Sequence, residues 1–443
     1  MDAYKMKFTI LQSLERVMFV LFILLIPFQD SGLQQFSKFL GARLSNLPLL
    51  VLIFFFFLRI LLSKKIAQKS VLFFGTAFFY VFLLGIFPIL FFYDDLFYTS
   101  YLYRSLFVNM AIIATKSFIL CYVVLNYKDE YSRYIVVSFV IALIGYIACD
   151  VLDISLGTFI HGTVSTGRAR GFSPESSVFG TTIVILGLLS AYVQKKYFYK
   201  VLFVLLTIIS VALSTSKGAI GVTLILAYIM IMRARINRLV KILTTLIVIG
   251  ACIHLWNNFI VYLLGIGNEN LFGTGSFTTR CSAVLTSILI VKDFPLGTGP
   301  SAVYGIEFIK HIPNVYDFLS DLIGGYGLDP IEILVMIHNN VTNEDANIGS
   351  KSGFFNNLAY FGLPFLIYFM ILIRHVQKVL FQNKKYILWF VFLFIVMAIM
   401  FYADVNYDSL FGIGVVLSYY YRKNPSAFCF YWIPQKETSV DTE

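Results

Sequence analysis

Long runs of Leu, Ile, Val and Phe, each broken by a short polar stretch, repeat almost from end to end of this chain. The runs do not alternate apolar with polar positions, so the two-residue period of a half-buried strand is missing and helices are expected. Each run approaches the ~20 apolar residues that a helix needs to cross a hydrocarbon core ~30 Å thick. In hydrocarbon every backbone N–H and C=O must also be bonded within the chain, which an α-helix achieves alone. The pattern places helices near 17–32, 47–62, 71–93, 105–125, 134–154, 177–193, 200–215, 218–232, 239–257, 354–373, 386–403 and 409–421. The expected fold class is all-α: a polytopic integral membrane helical bundle of about 12 transmembrane helices. It forms one domain over 1–421, followed by a cytoplasmic tail over 422–443.

Most connections are short, as in a tight helical bundle. Two are not: 155–176, reading SLGTFIHGTVSTGRARGFSPES, and the stretch at about 258–353. Connections beyond ~15 residues are usually functional or disordered. The second stretch carries apolar residues at irregular helical spacing and turn signals at Gly297, Gly299 and Pro300. It is expected to be a large exterior loop, periplasmic in a bacterial inner-membrane protein, whose short helices lie on the outer membrane face and cover a cavity. In the tail, Phe428, Phe430, Tyr431 and Trp432 form an aromatic cluster suited to the interface, or else to a frayed end.

Composition agrees with the pattern. Of 443 residues, 59% are hydrophobic and only 13% charged, where a soluble domain carries about a quarter charged residues. The net charge of +10 raises the question of nucleic acid, and its distribution argues against it. When the gaps between runs are numbered alternately, about 23 of the 34 Lys and Arg fall in one set, the signature of cytoplasmic segments. Both termini are thereby expected in the cytoplasm. The first apolar run lacks an Ala-x-Ala site after it and is expected to be a retained anchor.

Cys121, Cys149 and Cys252 fall inside predicted helices, Cys429 in the tail, and Cys281 outside. The five histidines, His161, His254, His311, His338 and His375, show no ligand spacing such as His-x-x-x-His. No disulfide, structural zinc, metal site or cofactor is expected. Neither a Gly-x-Ser-x-Gly elbow nor a phosphate-binding loop of the nucleotide-hydrolysing kind occurs, so any substrate must arrive energised.

The informative positions are the ionisable ones. A charge at the bilayer centre costs at least ~2.5 kcal/mol and needs a partner or a wet cavity. Lys116 lies in the middle of a predicted helix, and Asp150 and Asp153 approach the outer end of the next. A Lys116–Asp150 pair is expected, either holding two helices in register or lining a polar cavity. Arg168 and Arg170 stand two apart in RARGFSPESSVFG, just before Pro174 and Glu175 at the head of a helix. Arg binds phosphate through a planar, bidentate fork, so this pair suits a pyrophosphate headgroup or, equally, phospholipid. Glu175 is a candidate to accept a proton and also a natural first-turn residue. Lys217 sits in the turn STSKGAIG, followed by small residues that let helices approach closely. Arg280 opens RCSAVLTSILIVKDFPLGTGPSAV, and His338 in MIHNNVTNEDAN is a candidate base, sugar contact or plain loop histidine.

On these residues the chain resembles the bacterial O-antigen and capsular polysaccharide repeat-unit polymerases (Wzy-type) of the O-antigen polymerase and ligase superfamily. RARGFSPESSVFG resembles their Arg-Gly-Phe stretch, STSKGA their Ser-Arg/Lys-Gly-Ala turn, and RCSAVLTSILIVKDFPLGTGPSAV their Arg, apolar helix and Pro-x-Gly-x-Gly turn. KSGFFNNLAYFGLPFLIYF resembles the segment that re-enters the membrane. Lys351, Ser352 and Gly353 stand where the ligases carry a His-Asn pair, Pro174-Glu175 reverses the family's order, and Lys217 replaces the commoner Arg.

The resemblance implies a glycosyltransferase of the bacterial inner membrane that uses neither nucleotide sugar nor metal. Its substrates are undecaprenyl-diphosphate-linked oligosaccharides, and a separate chain-length regulator is an expected partner beside the membrane lipids. Arg170, Arg280 and Glu175 are the expected catalytic residues; Arg168, Lys217, His338 and Lys351 the expected substrate contacts. Two alternatives stay open: an O-antigen ligase acting on lipid A–core, and a transporter or flippase of lipid-linked oligosaccharide. Two related halves with helices broken at the midplane would mark a transporter; no such halves are visible, while Lys116 keeps that reading alive.

Overall fold

Apolar runs that carry their hydrogen bonds internally become helices, and all regular structure among the described residues is helical. The computed structural model describes residues 2–30, 43–63, 68–92, 96–152, 170–214, 216–233, 237–239, 241–246, 248–250, 253, 274–301, 303–322 and 352–423. Its helices are α1 (Asp2–Leu25), α2 (Asn46–Ser63), α3 (Gln68–Phe92), α4 (Leu96–Asn126), α5 (Ser132–Tyr146), α6 (Ser176–Val193) and α7 (Tyr197–Leu213). They continue as α8 (Lys217–Arg233), α9 (Thr274–Asp293), α10 (Val303–Leu322), α11 (Gly353–Gln382), α12 (Tyr386–Phe401) and α13 (Tyr407–Lys423). Among the described residues, four helical stretches are long and apolar enough to cross a membrane: Leu102–Asn126, Asp129–Val151, Ser176–Val193 and Gly353–Gln382. Asn46–Arg59, Phe78–Phe91, Tyr197–Leu213 and Tyr386–Phe401 are shorter apolar helices. Phe54, Phe57, Leu61, Phe79, Leu90 and Phe91 stand exposed on the outer faces, an apolar surface that lipid, not water, suits.

Two sequence expectations change, and a third falls partly outside the described residues. The first helix runs over 2–25, not 17–32, because the residue before Pro27 is pushed away from helical angles. The expected helix over 239–257 is described only at 241–246, 248–250 and 253. The stretch at 258–353 holds helices that are not short: α9 and α10 have 20 residues each. They pack against one another, α9 also against α11 and α10 against α3.

α6 is the centre of the bundle. It packs on α5, α7, α8, α12 and α13, and 67% of its apolar window is buried, against 17–28% for the other three candidate spans. Lipid supplies no hydrophobic drive between helices, so close backbone approach and interhelical hydrogen bonds must hold them. A Cβ on Gly187 would stand 2.1 Å from Thr207 Oγ1 of α7, and one on Gly180 would stand 3.0 Å from the Ala219 Cβ of α8. Gln29 Nε2 donates to Thr182 Oγ1 (2.8 Å), and that hydroxyl lies 2.9 Å from Asp408 Oδ2, tying the end of α1 and the head of α13 to α6.

Far from that network, Glu15 of α1 is buried and lies 2.9 Å from Arg59 Nε of α2, with the Tyr122 hydroxyl at 3.5 Å. Glu15→Ala strands the guanidinium. It is expected to cost about 2–3 kcal/mol, below the about 3–5 for a fully buried pair, because a partly exposed Arg regains water. Arg59 is 24% exposed. A lowered unfolding temperature in detergent checks this; an unchanged one refutes it.

One helix is broken, and the break is filled. In α11 the chain leaves helical geometry at Gly362 (φ 66°, ψ −157°), two residues before Pro364. Pro364 has no N–H for the Tyr360 carbonyl, and a free carbonyl in a membrane helix is costly. The turn after α9 supplies the missing partners. Thr298 N–H donates to Ala359 O and Gly299 N–H to Tyr360 O, both at 3.0 Å, while Leu363 N–H donates to Pro295 O at 2.8 Å. The approach requires glycine on both sides. A Cβ on Gly297 would lie 2.3 Å from Tyr360 O, and one on Gly362 2.2 Å from Pro295 O. The FPLGTG and YFGLP segments are therefore two halves of one joint.

Candidate functional site

Just before the break, Tyr360 and Phe361 line a cavity of about 660 Å³, within the ~300–1,000 Å³ of small-ligand sites. Five pieces of chain build it: Gln29 and Arg43 flanking the α1–α2 connection, one face of α4, the entry to α6, the first half of α11, and the α12–α13 connection. On α4 the lining residues Asn109, Ile113, Lys116 and Leu120 recur at three and four positions, one stripe of the helix. The lining carries two cations, Arg43 and Lys116, and two carboxylates, Glu175 and Asp404. Asn356, Asn357, Tyr360 and Tyr402 add amides and phenols.

Three of these four charges, Arg43, Asp404 and Glu175, are held by contacts with neighbours. An Arg43 terminal nitrogen donates to Asn406 Oδ1 at 2.6 Å, and its guanidinium lies 4.9 Å over the Tyr407 ring. Asp404 Oδ1 accepts the Val405 N–H at 2.7 Å. The connection that carries Asp404 is fastened to α11, since Gly353 N–H donates to Ala403 O (2.9 Å) and Ser352 Oγ lies 2.9 Å from the Ile399 and Met400 carbonyls. Glu175 is the N-cap residue of α6, but its carboxylate does not cap. It accepts the Ser177 hydroxyl at 3.1 Å instead and stays exposed on the cavity wall.

The stretch from Arg170 to Phe172 acts as a brace beside Glu175. Arg170 is buried, 6% exposed, with a terminal nitrogen 3.5 Å from Asp30 Oδ2; it is outside the cavity lining. Asp150 does not reach Lys116 as expected. The last turn before it widens into a π-turn, Ile147–Val151, and Asp150 Oδ2 accepts the N–H groups of Arg170 (3.0 Å) and Gly171 (2.6 Å). Phe172 stacks on Phe28 at 4.5 Å, and its carbonyl accepts the N–H groups of Gln29 and Asp30. The exit of α1, the end of α5 and the entry of α6 are thus locked together, which fixes where Glu175 stands.

Of the other sequence candidates, Lys217 is exposed at the head of α8. The glycine after it matters to the site: a Cβ on Gly218 would stand 2.5 Å from the Tyr402 ring, a cavity wall whose hydroxyl lies 3.0 Å from Thr181 Oγ1. The backbone of Arg280 belongs to α9. Arg168, His338 and Lys351 lie outside the described residues. The structure thus brings Lys116 and Glu175 to one cavity and adds Arg43, Asp404 and the Asn-Asn pair 356–357, which sequence reasoning passed over. A signal existed for Asp404, in the short polar ADVNYD connection between two apolar runs, and for Asn109, two turns from Lys116 on the same helix.

Comparison with known proteins gives one informative likeness. The chain is 26% identical over 399 residues to an uncharacterized 49.5 kDa protein in the cps region of Klebsiella pneumoniae, covering 87% of each chain. No family model matches the chain, and no solved structure does.

Proposed function

We propose that this protein is a membrane glycosyltransferase that polymerises undecaprenyl-diphosphate-linked oligosaccharide repeat units into capsular polysaccharide or O-antigen at the periplasmic face of the inner membrane. The observation that carries the reading is the cavity, which holds two cations, two carboxylates and a ring of amides and phenols between apolar helices. Likeness to a protein of a capsule region supports the same pathway.

The chemistry follows from the lining. A hydroxyl of the acceptor repeat unit attacks the anomeric carbon of the growing glycan. The new glycosidic C–O bond forms as the bond to the diphosphate oxygen breaks, and the hydroxyl proton passes to a carboxylate. Glu175 and Asp404 are the two carboxylates on the wall, and Glu175 takes this role in our reading. The departing lipid diphosphate gains negative charge, which Lys116 and Arg43 offset. Fixed charges aimed at a developing anion in a water-poor site are among the strongest catalytic devices. Arg170 serves as a positioning residue for Glu175. Arg168, Arg280, Lys217, His338 and Lys351 remain proposed contacts for diphosphate and sugar.

Deleting the gene is expected to leave surface glycan one repeat unit long. Loss of all attached repeats would mean a ligase instead. In proteoliposomes the purified chain is expected to lengthen lipid-linked oligosaccharide without nucleotide; transport without growth would sink the reading.

A further inference from the structure

Outside the cavity, three metal-ligating side chains converge at the junction of α9 and α10. Asp293 is the last residue of α9. Glu307 and His311 sit four residues apart on α10, one turn of the same face. His311 Nε2 lies 3.0 Å from Asp293 Oδ2 and 3.5 Å from Glu307 Oε2, and the three ligand atoms are within 4.8 Å of one another. The Glu307 side chain is 6% exposed and His311 15%, while Asp293 keeps 43% of its surface.

These contacts are not hydrogen bonds. The His311 Nε2 atom is buried and, among the described residues, has no hydrogen-bond partner of acceptable geometry despite the 3.0 Å approach. The ring nitrogen therefore does not point at either carboxylate. The spacing of the three ligand atoms also fits one shared ion. Ligand atoms at about 2.1 Å from one cation, and about 90–110° apart around it, stand about 3.0–3.4 Å from each other with each lone pair aimed between its neighbours. Two carboxylates this close also call for a positive charge. Lys310 Nζ meets Glu307 Oε2 at 3.2 Å, with its side chain 65% exposed.

We propose that Asp293, Glu307 and His311 bind a divalent transition-metal cation, with Zn²⁺ as the best fit. One imidazole and two carboxylates suit zinc, with water in the fourth position on the open Asp293 side. The ion is a clamp. It ties the end of α9, from which the turn at 294–299 departs, to the first half of α10, and so holds the turn that fills the break in α11. Neither histidine nor cysteine spacing reveals this site, because Asp293 joins the Glu307-x-x-x-His311 pair only through the α9–α10 hairpin.

The test uses the full chain in detergent, stripped with a chelator and titrated calorimetrically with Zn²⁺, with Co²⁺ as a visible-spectrum probe. One Zn²⁺ per chain is expected, with a rise in unfolding temperature and the ligand-field bands of Co²⁺ in a low-coordinate site. His311→Ala, and the shape-conserving Asp293→Asn and Glu307→Gln, are each expected to weaken binding at least about 100-fold and to abolish the thermal shift. Lys310→Ala removes a competing ammonium and is expected to keep or tighten binding. Failure of the wild-type chain to bind at millimolar Zn²⁺ overturns the proposal. Wild-type affinity in folded Asp293→Asn and Glu307→Gln variants does so too, since it would place the ion elsewhere.

Discussion

Lys116→Ala is expected to leave the protein inserted at normal abundance while surface glycan falls to a single repeat unit. Lys116 lines the cavity from α4, and Arg43, Glu175 and Asp404 line it too. In the proposed reaction its ammonium meets the charge that appears on the diphosphate as the glycosidic bond breaks. Losing one such donor typically slows the reaction ~100- to 1000-fold. Lys116→Arg keeps the charge and is expected to restore part of the chain growth. Arg43 is a poorer test, because its bond to Asn406 and its stacking on Tyr407 make it structural as well. The measurement is the ladder of glycan lengths on a gel beside immunodetection of the membrane-inserted protein. A full ladder from a Lys116→Ala strain would remove the cavity from the reaction.

Gly362→Ala carries the other large effect. Its Cβ would stand 2.2 Å from the Pro295 carbonyl oxygen and 2.4 Å from the Leu296 carbonyl carbon, both backbone atoms. Its φ of 66° with ψ of −157° is a region that glycine alone occupies without strain. Strain and overpacking together are expected to cost about 2–6 kcal/mol. The three hydrogen bonds that close the joint go with them, and Tyr360 and Phe361 leave the cavity wall. Gly221→Ala in α8 is the matched control, since a Cβ there meets nothing within 4 Å. The variant at 362 is expected to unfold at a much lower temperature in detergent and to lose chain growth, while the variant at 221 matches the wild type. Equal stability of the two would mean that the turn does not support the break.

These two residues differ in how visible they are beforehand. Lys116 stands out in the sequence because a cation inside an apolar run needs a reason. Gly362 does not, because glycine between apolar residues looks the same whether it eases packing or permits a break. Its meaning comes from the FPLGTG turn, separated from it by more than sixty residues and brought to it by the α9–α10 hairpin. The motif residues divide in the same way. Gly171, Phe172, Gly218, Ser352 and Gly353 hold parts together, and what they hold, Glu175, Tyr402 and Asp404, lines the cavity.

By itself the sequence determined that the regular structure among the described residues is helical, that long apolar stretches run through the chain, and where helices such as α2, α6, α8 and α12 begin and end. Hydropathy and backbone satisfaction act locally, so a run of apolar residues needs no distant neighbour to become a helix. Only the tertiary structure decided which charges meet. Asp150 serves two backbone amides rather than Lys116, Arg170 faces Asp30, and Asp404 comes to the same cavity as Lys116. Which partner a charge finds depends on helix rotation and on the path of the connections, and both are set by packing between residues far apart in the chain.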